Sequence, residues 1–267
     1  IGCRIDKAKS WAIRCVHEAR QYENNCFITL TYNDDFVPKD GSLDKSHFQK
    51  FMKRLRKKFP EDKIRYFQCG EYGDNLSRPH YHACLFNFNF PDKELWTIKN
   101  GIELYRSKIL EDLWTDPIFK QSYGFSTIGE VNYESAQYIA KYVIKKITGK
   151  KAKDHYCGLV PEYITMSRGS GIGKNWINEF KNDVYPLDKI IDKNGRGNII
   201  KIKPPRYYDK IYDLTNTETF NMIKSRRLKN ATSCPDNRPK RLQARETCSL
   251  NALRRTKREY ENGSTGF

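Results

Sequence analysis

Apolar residues along this chain change period several times, and each change marks an expected element. Over residues 6–22, Trp11, Cys15 and Ala19 recur at i+4 with charges on the other faces, which predicts a helix. Residues 26–32 (CFITLTY) alternate β-branched and apolar types before the Asn33-Asp34-Asp35 turn signal and predict a strand with Thr29 and Thr31 on one face. Phe48, Phe51, Met52, Leu55 and Phe59 fall at i+3 and i+4, giving a helix over 46–59 that Pro60 stops. Stretches 64–71 and 80–88 read as two strands in antiparallel return through the loop GDNLSRP. The second is apolar on both faces, with Ala83 and Leu85 opposing Cys84 and Phe86, so it should be central and covered on both sides. A helical segment is expected over 95–114, a strand over 125–131 and a helix over 135–148. This order of strands with helices between them predicts an α+β layer fold.

Composition narrows the partners. The chain has 267 residues, with Lys and Arg (49) exceeding Asp and Glu (32) for a net charge of +17, which favours polyanions through phosphate contacts and counterion release. No apolar stretch approaches a membrane span, and a mean hydropathy of −0.81 argues against insertion, so a soluble chain without a membrane partner is expected. Eight cysteines without a C-x-x-C pair are too sparse for a disulfide scaffold, and Cys69 and Cys84 sit in apolar strand patterns as small buried hydrophobes. The first residue is Ile1 with no signal pattern behind it, which reads as a truncated start rather than a secreted one. After Gly149 the periodicity weakens, placing a boundary near Thr148. Over 224–258 Lys and Arg are met by only two acids, Asp236 and Glu246, with no clear apolar stripe, which reads as a basic nucleic-acid arm.

The chemistry concentrates in two short motifs. In a strand, His80 and His82 point to one face and Tyr81 to the other, so both imidazoles can reach one cation. Glu71, at the end of the preceding strand, would bring a carboxylate beside them, completing a three-ligand face with open positions. The other histidines, His17, His47 and His155, lack ligand spacing. On the 135–148 helix, Ala136, Ile139, Ala140, Val143 and Ile147 form a packing ridge, while Tyr138, Lys141, Tyr142 and Lys145 gather on roughly the opposite side. A phenol with a pKa of about 10 is a poor nucleophile unless its surroundings favour phenolate or polarise the electrophile. A divalent ion would polarise a phosphate, and Lys141 could contact that phosphate or lower a tyrosine pKa. Attack by Tyr138 or Tyr142 would leave a 5′-phosphotyrosine link and a free 3′-hydroxyl. Arg78 and Lys145 are the basic residues expected on the nucleic acid. SRGSGIGKNW fails as a Walker loop, having Arg168 where the first Gly belongs and Asn175 after Lys174; it reads as a turn leading into a helix over 174–181.

GEYGDNLSRPHYH together with YIAKYVIKK resembles the replication initiation proteins of Microviridae phages, particularly the gokushovirus-like group, in the HUH endonuclease superfamily. CFITLTYND resembles the first family motif, RPHYH the second and YIAKY the third. The likeness runs from about Cys3 to Trp176. It implies metal-binding His80 and His82, nucleophiles Tyr138 and Tyr142 with Lys141 beside them, and Mg²⁺ or Mn²⁺ as cofactor. It also implies a five-stranded antiparallel sheet flanked by helices. The expected activity is nicking and rejoining at the phage origin in rolling-circle DNA replication, in the host bacterial cytoplasm. Partners would be single-stranded DNA and the phage replication origin, with host helicase or polymerase as further candidates. Family members usually continue upstream with more cysteines near the one corresponding to Cys3, which implies a terminal metal element.

The expected organisation is an HUH-type nickase domain over 1–181, with its catalytic core at about 24–148, and a basic, partly helical C-terminal extension over 182–267. Two other readings remain open at this point: a transposase or relaxase of the same superfamily, and a non-catalytic basic nucleic-acid-binding protein with structural histidines. The paired tyrosines favour the replication initiator over single-tyrosine transposases.

Overall fold

A computed structural model describes residues 2–73, 77–116, 118–145, 149, 151–193 and 197–255, with 142–145, 151 and 252–255 as backbone alone. The strands of the main sheet are β1 (Asn25–Thr31), β2 (Arg65–Tyr72), β3 (Pro79–Phe86), β4 (Glu94–Lys99), β5 (Ile102–Arg106), β6 (Ser126–Gly129) and β7 (Tyr163–Met166). All pair antiparallel, in the order β4-β5-β6-β1-β3-β2-β7. The fold is α+β, with seven strands in place of the five expected.

Part of that difference is a misread period. The helix expected over 95–114 is a β4–β5 hairpin followed by one short helix, α3 (Lys108–Leu113). Asn100 and Gly101 both hold positive φ, 52° and 78°. That is the turn whose twist matches two antiparallel strands, and an Asn-Gly step is a strong hairpin signal. The seventh strand, β7, lies beyond Gly149 after a short helix, α5 (Lys151–Tyr156), where the sequence pattern is weak.

Helices cover both sides of the sheet. On one, α2 (Lys45–Lys58) starts at Asp44, whose carboxylate accepts from the Ser46 backbone N–H at 2.7 Å. It buries the predicted stripe Phe48, Phe51, Met52 and Leu55 against Ile28, Leu30, Tyr81, Ala83 and Leu85 of the central strands. Each such side chain contributes about 1.5–3 kcal/mol by leaving water. On the other side, α1 (Gly2–Ala19) and α4 (Tyr133–Lys145) pack together over Phe27, Phe67, Cys69, Cys84 and Phe86. Central β3 is therefore covered twice, as its two apolar faces predict.

A third core joins Ile13 of α1 to α6 (Lys174–Leu187), α7 (Arg206–Asp213) and α8 (Thr217–Ser233) through Ile177, Val184, Tyr185, Tyr208, Phe220 and Ile223. The glycine-rich stretch before α6 serves this docking. Glu18 accepts from the Gly173 N–H at 2.6 Å and from Arg65 at 2.5 Å, and a Cβ on Gly173 would lie 2.4 Å from the Tyr208 hydroxyl. The last described helix, α9 (Pro239–Arg255), is almost wholly exposed over residues 239–251.

Candidate functional site

Register decides which residues meet. Glu71 of β2 lies opposite His80 of β3, and His80 opposite Thr31 of β1; one step along, Cys69, His82 and Thr29 form the next row. Side chains alternate along a strand, so both rows face α4 while Tyr81 faces α2. There its hydroxyl donates to the Asp44 carbonyl at 2.8 Å and sits 3.0 Å from the Tyr32 hydroxyl.

At the centre of the α4 side, Glu71 Oε1 lies 2.6 Å from His82 Nε2 and accepts a hydrogen bond from the Tyr138 hydroxyl at 3.3 Å. The Tyr138 ring meets His82 edge-on, with centroids 5.0 Å apart and planes at 88°. Glu71, His82 and Tyr138 are 0%, 1% and 6% exposed. His80 is half-buried, its ring parallel to that of His82 with centroids 6.4 Å apart. The site thus opens at His80 and closes at Tyr138.

Two imidazoles and a carboxylate are groups that could hold a divalent cation. His80 Nδ1 lies 2.7 Å from the Arg78 carbonyl, which can only accept, so Nδ1 carries the proton and Nε2 the lone pair. His82 Nδ1 is held 3.0 Å from the Thr29 hydroxyl, which leaves its Nε2 toward Glu71. Imidazoles anchored through one nitrogen, with a carboxylate beside them, are the usual arrangement at metal centres. Gly73 makes room for the arrangement, since a Cβ there would lie 2.9 Å from His80 Cε1. Among the described residues no three His, Cys, Asp or Glu side chains are already gathered around one point. Glu71 and His82 meet, and His80 stands one ring away.

Tyr138 corrects the helical-wheel expectation that the tyrosines lie away from the packing ridge. It belongs to the same core as Ala136 and Ile139, because α4 lies beside α1 on the sheet and the Tyr138 ring meets Phe27 and His82 there. Lys141 is half-buried on α4. The side chains of Tyr142 and Lys145 lie outside the described residues. Arg78 pairs with Asp34, and its carbonyl also accepts from the Gly73 N–H at 2.9 Å. Burial, then the neighbouring Glu71 charge, pushes the Cys69 thiol well up, so it stays a neutral wall of the site. The supporting roles of Thr29, Gly73 and the Arg78 carbonyl were not read from the motifs; the shared face of Thr29 and Thr31 was the available signal.

Residues 25–147 match the family described as Replication-associated protein ORF2/G2P. The chain is 36% identical over 220 residues to the Replication-associated protein ORF2 of Spiroplasma virus 4, covering 79% of this chain and 65% of that protein. It is 34% identical over 228 residues to the Replication-associated protein VP4 of Bdellovibrio phage phiMH2K, covering 82% and 68%. The Replication-associated protein ORF4 of Chlamydia phage 1 is 32% identical over 152 residues, covering 54% and 36%. This chain therefore spans about two thirds of the length of the first two relatives. No solved structure matches it.

Proposed function

The chain belongs to the replication-associated protein family of these phages, and on that premise we propose that it initiates replication by nicking single-stranded origin DNA through Tyr138. One observation carries the reading: the Tyr138 hydroxyl donates to Glu71, whose same oxygen meets the imidazole of His82. A carboxylate that already accepts from the phenol, beside an anchored imidazole, can take the phenolic proton at the moment the oxygen attacks.

The Tyr138 oxygen forms a bond to the scissile phosphorus as the bond from phosphorus to the 3′-oxygen breaks. The phenolic proton passes to Glu71 Oε1, and the departing 3′-oxygen takes a proton from solvent water to become a hydroxyl. The product is a 5′-phosphotyrosine. Attack by a 3′-hydroxyl on that link reverses the step and rejoins an end. Lys141, one turn along α4, offers a cation to the phosphate. Tyr142, on the following residue, is the second nucleophile, allowing a second transfer before the first product leaves. Glu71, His80 and His82 would hold Mg²⁺ or Mn²⁺, which would supply charge stabilisation at the scissile phosphate.

The test uses end-labelled single-stranded origin DNA with Mn²⁺ or Mg²⁺, denaturing gels and peptide mapping. A protein-bound 5′ end is expected on Tyr138 or Tyr142. Changing both to Phe should cut adduct formation at least about a thousandfold while DNA binding persists. Nicking by the double variant at the parental rate overturns the proposal.

A further inference from the structure

Beyond the histidines, the same sheet face carries an aromatic cluster that the nicking chemistry does not use. The Thr31 N–H and hydroxyl both donate to the Phe125 carbonyl, at 2.9 and 2.8 Å, so Phe125 continues the row Glu71, His80, Thr31 toward the β4 edge. Trp96, the extra residue where the β4–β5 register shifts, packs on Phe125 with ring centroids 5.0 Å apart. Arg106 lies over the other ring, 5.2 Å from the Phe125 centroid, held by two hydrogen bonds to Glu111 at 2.8 and 2.5 Å. Arg106 shares its face with Leu104, two residues earlier. A Cβ on Gly129 would touch both Leu104 and Phe27, which places this group on the α4 side.

Exposure separates Trp96 from the other tryptophans: it is 40% exposed, whereas Trp114 is fully buried and Trp11 and Trp176 are half-covered. A β-bulge that turns a tryptophan outward, beside a second ring and a guanidinium held by a carboxylate, fits the face of an unpaired nucleobase. Two inter-strand spacings, about 10 Å, separate Phe125 from His80, so one oligonucleotide can span both. We propose that Trp96, Phe125 and Arg106 form a stacking platform that holds a base of single-stranded DNA beside the candidate nicking site. This rests on the reading of the chain as a protein that acts on single-stranded DNA.

Binding is measured by fluorescence anisotropy on the full chain, without divalent metal, using labelled oligothymidine and a duplex of equal length. Trp96→Ala and Trp96→Leu should weaken oligothymidine binding about 5- to 100-fold. Trp96→Tyr should keep most of it, and duplex binding should not move. The leucine variant preserves an apolar cover on Phe125, so its loss would report the missing ring face rather than a disturbed hairpin. Parental binding by Trp96→Leu, or an equal loss on duplex, overturns the platform. Because no cleavage is needed, a chain that nicks but ignores Trp96 loses the platform alone. One that responds to Trp96 but never nicks loses the nicking alone.

Discussion

On the α2 side of the sheet, polar groups close upon one another. Tyr81 bridges Tyr32 and the Asp44 backbone, and Tyr32 meets His47 Nδ1 at 2.5 Å. On the α4 side, alternate residues of the same strands bring Glu71, His82 and Tyr138 to one point, with His80 at the mouth. Both sides hold a hydrogen-bonded histidine and tyrosine, His47 half-buried and His82 fully buried, so polarity in a core does not by itself mark chemistry. The first set ties a loop and a helix start to the sheet. The second gathers a phenol, a carboxylate and an imidazole from three different elements, and serves no comparable turn or cap.

The strongest way to break this contrast is to delete one histidine from each side. His82→Ala should lower nicking about 100- to 1000-fold, with single-stranded DNA binding retained. His47→Ala should leave nicking per folded molecule unchanged. Equal losses from the two variants would erase the distinction, and denaturing gels scored against circular dichroism would show it.

A buried histidine outside both sides, His17, extends the contrast through pH. His17 stacks on Trp176 with centroids 3.3 Å apart and lies 3.0 Å from the Tyr208 hydroxyl. Burial lowers its pKa to about 4, against the opposing hydrogen bond with Asp192. A histidine depressed in the folded state is favoured while neutral, so its contribution is complete above about 6.5 and drains away as pH falls toward 4. The loss should reach roughly 3 kcal/mol over that window, visible as a falling urea midpoint that His17→Gln flattens. A midpoint equally pH-dependent in the variant would remove His17 from the account.

The smallest expected effect is on the α2 side itself. Tyr81→Phe removes a hydroxyl that bonds Tyr32 and Asp44 and should cost about 1 kcal/mol of stability, measured by urea unfolding, with nicking untouched. A nicking defect in this variant would show that the two sides are coupled.

How far the sequence reached follows from what a period can carry. Alternation put His80 and His82 on one face and Tyr81 on the other, and the i+3 and i+4 spacing of Phe48, Phe51, Met52 and Leu55 marked the buried stripe of α2. His80, His82 and Tyr138 were legible as residue types at strand and helix spacing. The β4–β5 hairpin was legible too, in Asn100-Gly101, but an apolar run that fits either period hid it.

Other features had no local signal. Glu71 lies opposite His80 in register, yet its carboxylate meets His82, because side-chain direction rather than pairing sets where the oxygen goes. Tyr138 is buried because α4 lies on the sheet, where residues far earlier in the chain, Glu71, His82 and Phe27, meet its ring and hydroxyl. Residue order alone told which side chains share a face of β1, β3 and α2, since that is written in neighbouring positions. What covers each face, and which atoms converge there, came from the folded chain, because those contacts join segments that share no local period.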